Sequence, residues 1–279
     1  MIHNIDPVIF QIGPLSIRYY GLLYMAGFVI TYIFLSRLSK IGKISLSKKD
    51  IDDFIFYSVI GVVLGARLFE VIFYEPSYYF SNPFKIFAIW EGGLSFHGGI
   101  FGVFVVTLIF CKKQKISIKV MGDLLSLTAS ISLFFGRIAN FINGELYGIP
   151  VDNQVNPPWY AVKFLRTDPL GLYRYPTQIL ESLKNLFIFF VLFYLYKKLY
   201  GKNNKIDLYH TNYNNGIILW VFILLYGIIR FFIEFLKDVY KTNFLGLPLT
   251  KGHWLCIPMI ILGITGLLLN YRMKLKDRV

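Results

Sequence analysis

The chain has 279 residues, 56% of them apolar and 18% aromatic, with only 16% charged. Soluble domains average about a quarter charged residues, so this composition excludes a water-soluble globular class. The net charge of +13 does not point to nucleic acid, because the basic residues fall between apolar runs, where topology determinants sit.

The opening stretch from Met1 to Ser16 holds Asp6 and no basic start, so no cleavable signal peptide is expected. Seven apolar segments long enough to span, or nearly so, then follow at about 18–38, 53–74, 94–110, 120–140, 178–198, 216–236 and 254–271. They predict an all-α polytopic membrane protein with seven transmembrane helices in a single integral domain. Basic residues crowd the first connection (Arg37 to Lys49), the third (Lys112 to Lys119), the fifth (Lys197 to Lys205) and the tail (Arg272 to Arg278). This alternation predicts an outside N-terminus and a cytoplasmic C-terminus.

That topology assigns a depth to each polar residue. Tyr19 and Tyr20 open the first span, and Arg67 and Glu70, three residues apart in the second, read as a structural ion pair. Ser95 and His97 begin the third; His97 is the one histidine inside an expected span. The fourth ends in Gly136-Arg137-Ile138-Ala139-Asn140-Phe141-Ile142-Asn143-Gly144-Glu145-Leu146-Tyr147-Gly148, a guanidinium, two amides and a carboxylate among three glycines. Polar backbone at membrane depth persists only where it is buried in protein or lines a cavity, so this stretch marks a functional site.

Residues 141–177 carry five prolines with Trp159, Tyr160, Tyr173 and Tyr175, and read as a small extracytoplasmic head or lid. Gln178, Glu181 and Lys184 open the fifth span, and Tyr226, Arg230 and Glu234 lie along the sixth. Charge from five or six helices thus converges on one layer, the outer leaflet. Arg137 and Arg230 offer planar forks that match phosphate oxygens, which suggests an anionic phospholipid headgroup. The alternative is internal pairing, Arg230 with Glu234 and Arg137 with Glu145, and both arrangements can hold together. Tyr20 and Tyr226 can supply hydroxyl donors, or serve as belt aromatics at the interface. Cys111 and Cys256 have no metal or disulfide spacing, and neither a metal nor a cofactor is expected.

These residues carry a resemblance. The chain resembles the phosphatidylglycerol–prolipoprotein diacylglyceryl transferase family of bacterial lipoprotein maturation. The Gly136–Gly148 stretch matches the family signature at every constrained position. Tyr19-Tyr20-Gly21, the block from Gly92 to Gly99 and the block from Tyr226 to Phe235 are similar too, and the likeness runs from Asp6-Pro7 to the last span. Three positions depart: Tyr175 where the family usually has His, Lys237 where it has Arg, and His253 where it has Gln.

The resemblance implies transfer of a diacylglyceryl group from phosphatidylglycerol to the thiol of a lipobox cysteine, with release of glycerol phosphate. It implies a multi-pass protein of the bacterial inner membrane whose site faces the outer leaflet. Its partners would be phosphatidylglycerol, a prolipoprotein lipobox peptide and membrane lipid, with no nucleic acid. The expected catalytic residues are His97, as base, with Arg137, Arg230, Glu145 and Tyr20. Arg137, Asn140, Asn143, Gly148, Tyr226, Arg230 and Glu234 are expected to bind substrate. A phospholipid- or anion-binding transporter or receptor is the competing class.

Overall fold

The computed structural model describes residues 1–13, 15–201, 205–210, 214–238, 241–244 and 247–276. Lys202 and Arg278 of the basic clusters, and Val239 beside the Lys237 departure, lie outside them. Among the described residues, seven helices are long and apolar enough to cross a membrane: α1 (Tyr19–Lys40), α2 (Lys48–Phe69, continued by a π-helical turn over Glu70–Tyr74), α4 (Phe96–Gln114), α5 (Ile118–Asn143), α6 (Thr177–Tyr200), α7 (Ile217–Glu234) and α8 (Lys251–Lys276). A short α3 (Pro76–Ser81) follows the second of these. Small strands lie among the connecting segments: β1 (Ile2–His3), β2 (Val8–Ile12), β3 (Leu15–Arg18), β4 (Val162–Phe164), β5 (Tyr173–Arg174), β6 (Lys241–Phe244) and β7 (Leu247–Thr250). The spanning helices leave many large apolar side chains exposed, among them Ile33, Leu64, Ile109, Phe190 and Leu268. Such a surface suits lipid rather than water. The expected all-α seven-span class is therefore what the chain adopts.

The chain divides into two compact units. The first comprises Met1–Ile30, Gly122–Asn203 and Asn212–Val279, and so holds most of α5, all of α6 to α8 and the start of α1. Here α7 and α8 pack closely; a Cβ at Gly266 would overlap the Trp220 ring, and one at Gly263 would meet Leu224 Cβ at 2.7 Å. The first residue of α7 follows Gly216, which has no side chain to cap the helix. Asp123 supplies the cap from α5, accepting from Gly216 N and Leu219 N at 2.8 Å each and from Tyr200 Oη at 2.7 Å. A carboxylate there satisfies orphan N–H groups and faces the positive end of the helix dipole.

The α5–α6 connection is held by strands and one buried arginine. β1 pairs parallel with β4, and β4 antiparallel with β5. Arg174 binds Asp168 through Nε–Oδ2 at 2.6 Å and NH2–Oδ1 at 3.0 Å, and reaches Asp238 at 2.6 Å and Gly148 O at 3.3 Å. The bidentate guanidinium holds the Asp168 carboxyl below the usual carboxylate range.

The second unit comprises Thr31–Met121 and Asn204–Thr211. A capping box starts α2, with Ser47 and Asp50 each accepting from the other's backbone N–H. Its core is the α2–α4 crossing, where Gly61 and Gly65 face Gly98 and Gly102. A Cβ at Gly61 would meet Gly102 O at 3.0 Å, and one at Gly65 would overlap Gly98 O. Small residues four apart on both helices let the backbones touch, the arrangement that drives helix pairing in lipid. Arg67 does not form the ion pair expected with Glu70. It donates instead to five carbonyls, of Lys85, Ile86, Ala88, Gly92 and Gly93, and to Tyr79 Oη. One guanidinium thereby shapes the whole turn between α3 and α4.

Candidate active site

The site grows from the ends of four helices in the first unit. The last turns of α5 present Arg137 and Asn140 on one face, at a spacing of three. Past Asn143 the helix stops at Gly144, whose φ of +66° is a left-handed end. The chain then doubles back, so that Asn140 Nδ2 donates to Glu145 Oε1 at 2.7 Å and Asn143 Nδ2 reaches the same oxygen at 3.4 Å. Glu145 is thus held by the two amides of the signature rather than by Arg137. Gly148 lies where a Cβ would press on Leu236 O, Thr177 Cγ2 and Tyr175 O. Its N–H donates to Tyr175 O at 2.8 Å, and it forms a bridge with Lys237. Gly148 is therefore required by backbone contact.

At the centre stands Glu181 on α6, fully buried. Its Oε2 takes Lys184 Nζ at 2.7 Å and Arg137 Nε at 3.6 Å. Its Oε1 takes Lys237 Nζ at 2.7 Å and Arg230 NH1 at 3.5 Å. One turn further along α7, Glu234 pairs with Arg230 NH2 at 3.7 Å and Lys237 Nζ at 3.4 Å, and accepts from Thr250 Oγ1 at 2.8 Å. The expected Arg230–Glu234 pair is present, and Arg137 finds Glu181 in place of Glu145. Lys184 Nζ also lies 3.7 Å above the Tyr226 ring, a cation–π contact in a buried setting. Four cations, Arg137, Lys184, Arg230 and Lys237, meet two carboxylates, an excess of two positive charges.

The departures fall on or beside this cluster. Lys237 delivers a point charge to Glu181 and Glu234. His253 is buried between Phe231 and Phe235 and takes part in hydrogen bonds with Thr250, while a Cβ at neighbouring Gly252 would overlap the Glu234 carboxylate. Tyr175 stacks on Tyr160 and gives its carbonyl to Gly148. Tyr20 stacks on Tyr24 at 4.5 Å and donates to its hydroxyl at 3.0 Å.

His97 belongs to the second unit. Ser95 is the N-cap of α4, accepting from Gly98 N at 3.3 Å, so its hydroxyl serves the helix start. Two residues on, His97 Nδ1 lies 2.9 Å from Tyr74 Oη and the ring is exposed. Tyr74 closes the π-helical turn that ends α2.

Reading residues alone placed Glu181 and Lys184 at the start of their span without assigning them to the site, and missed Tyr74 and Thr250. The signal for Glu181 was there: Gln178, Glu181 and Lys184 recur every three residues in an apolar helix. Ionisable groups inside a span mark function or pairing. Thr250 carried no such signal.

The first unit of this seven-span protein thus carries a buried, cation-rich polar centre at the ends of its own membrane-spanning helices. The sequence pattern of the prolipoprotein diacylglyceryl transferase family matches residues 7–269. A phosphatidylglycerol–prolipoprotein diacylglyceryl transferase of Bordetella parapertussis is 41% identical, over 93% of this chain and 93% of its own length. Enzymes of the same name from Janthinobacterium and Geobacter sulfurreducens are 38% and 37% identical, covering 96% and 97% of this chain and 97% of their own lengths. The chain belongs to the prolipoprotein diacylglyceryl transferase family.

Proposed function

We propose that the protein moves the diacylglyceryl group of phosphatidylglycerol to the sulfur of a prolipoprotein lipobox cysteine. A C–S bond forms at the glyceryl carbon, and the bond from that carbon to the phosphate oxygen breaks. The electron pair leaves with the oxygen as glycerol phosphate, and the thiol proton goes to a base. The observation that carries this reading is the excess of two cations around Glu181 and Glu234. A phosphodiester has one negative charge, and the departing monoester gains up to about one more near neutrality. Preorganised cations therefore hold the leaving group more strongly in the transition state than in the ground state, which lowers the barrier.

Arg137 and Arg230 are the phosphate ligands in this reading, since their contacts to Glu181 are the long ones. Asn140, Asn143 and Glu145 form a polar wall beside Arg137, and Tyr20, Tyr226, Glu234 and Gly148 complete the substrate surface. His97 is the base in this reading: its Nδ1 lies 2.9 Å from Tyr74 Oη, and the tautomer whose Nδ1–H donates to that oxygen leaves the Nε2 lone pair for the thiol proton. In this reading the site faces the outer leaflet of the inner membrane, which the alternation of basic loops supports. Incubating purified protein with labelled phosphatidylglycerol and a lipobox peptide tests the function. Thioether product with released glycerol phosphate is expected; lipid binding without product would make the protein a transporter or receptor instead.

A further inference from the structure

The reading above leaves two lysines without a task. Lys184 and Lys237 sit 2.7 Å from opposite oxygens of Glu181, whereas Arg137 and Arg230 stand 3.6 and 3.5 Å from those same oxygens. A buried carboxylate takes whatever cations it can, because an uncompensated one is costly. An ammonium is compact and satisfies one oxygen as a point charge, while a guanidinium prefers to bind a carboxylate with its whole fork. We propose that Lys184 and Lys237 are positioning residues that saturate Glu181, so that Arg137 and Arg230 are gathered by one carboxylate without being consumed by it.

Glu181 draws the two guanidiniums to its opposite sides, and the lysines keep it from closing on either. The forks then remain for a second, external oxyanion. Lys184 suits the task because its ammonium is fixed from two directions, by Glu181 and by the face of Tyr226. Lys237 is fixed from two directions as well, by Glu181 and Glu234. The inference rests on the phosphate-clamp reading of the arginines, and goes beyond it in giving the lysines a role with no contact to substrate.

The test uses full-length enzyme in phosphatidylglycerol-containing detergent micelles, with rates normalised to folded protein. In Lys184→Met, Glu181 turns to Arg137 for its missing partner, so the KM for phosphatidylglycerol rises and kcat/KM falls tenfold or more. Adding Glu181→Gln removes the demand, and the double variant rises from the level of Lys184→Met to that of Glu181→Gln alone. A merely structural lysine gives the opposite pattern, less folded enzyme with an unchanged KM and no recovery.

Lys184→Met strips the buried Glu181 carboxylate of one of its two short ion pairs and is the variant at risk of not folding. The comparison of Glu181→Gln with Glu181→Gln/Lys184→Met avoids it, since neither has that carboxylate. Equal kcat/KM within about twofold supports positioning through Glu181. A further tenfold fall in the double variant overturns it and makes Lys184 a direct ligand. Arg137→Lys and Arg230→Lys run in parallel: if both keep near-normal rates, the clamp itself has failed, whereas their loss beside an unaffected Lys184→Met removes only the positioning role.

Discussion

At the scale of single residues, the chemistry turns on forks against point charges. Arg137→Lys and Arg230→Lys keep the charge and lose the planar pair of donors, so each is expected to lower turnover at least tenfold in steady-state assays on membrane-inserted protein. Tyr74→Phe removes the hydroxyl that faces His97 Nδ1, and with it the hydrogen bond that orients the ring. A fall in the single-turnover rate with unchanged lipid affinity is expected. In His97→Gln the same step should recover in part above about pH 8.5, where the substrate thiol ionises unaided. A variant with an unaltered pH profile would remove His97 from the base role. The arginines and the histidine were legible in the sequence because charge inside an apolar run is conspicuous. Tyr74 was not, since aromatics at span ends are common and only the π-helical turn aims this one at His97.

At the scale of elements, the α5–α6 connection and the glycine crossing lend themselves to separate tests. Asp168 is buried and ion-paired, and its carboxyl lies below the unfolded value of about 3.9. A depressed carboxylate contributes stability that is fully present above the unfolded pKa and lost as pH falls through the folded one. Asp168→Asn should therefore cost about 3 kcal/mol at neutral pH, and that deficit against wild type should shrink below about pH 4 in thermal melts. Gly65→Ala forces α2 from α4 where a Cβ overlaps Gly98 O, and should lower the melting temperature through loss of close backbone packing. Helix spans were legible because length and hydropathy suffice to mark them. The partnership of α2 with α4 was legible only as glycines without a stated purpose: those in the His97 block were read as family markers, and the structure gives Gly98 to helix packing. The cap that Asp123 places on α7 joins residues distant in sequence, and no local pattern announces it.

At the scale of the whole molecule, the orientation drawn from basic loops is a claim about sides. Single cysteines placed at Ser47 and Asn153, with Cys111 and Cys256 replaced, would report on it, since both positions are exposed. An impermeant thiol reagent added to intact cells with a permeabilised outer membrane is expected to label Asn153→Cys and spare Ser47→Cys. Labelling in the reverse sense would turn the protein, and the site with it, to the other face. The contacts define two compact units, with α1 contributing to both. Apolar helices look alike in composition, so periodicity counts spans but does not reveal which of them pack together.

The Glu181–Lys184 contact has a consequence for how the protein is made. Both partners lie on α6, three residues apart, so this salt bridge does not wait for another helix to arrive. A lone carboxylate or ammonium costs about 3 kcal/mol at mid-span and less towards a span end, where these two lie, and each cost is reduced when the two neutralise one another within the same helix. α6 can therefore leave the ribosome, enter the bilayer as an almost neutral rod and persist there before α7 and α8 have been synthesised. Arg137, already in place on α5, and Arg230, arriving with α7, then join a carboxylate that has been kept soluble in lipid by its own neighbour. The order of synthesis and the order of charge assembly coincide, and biogenesis does not have to carry an unpaired Glu181 through the membrane.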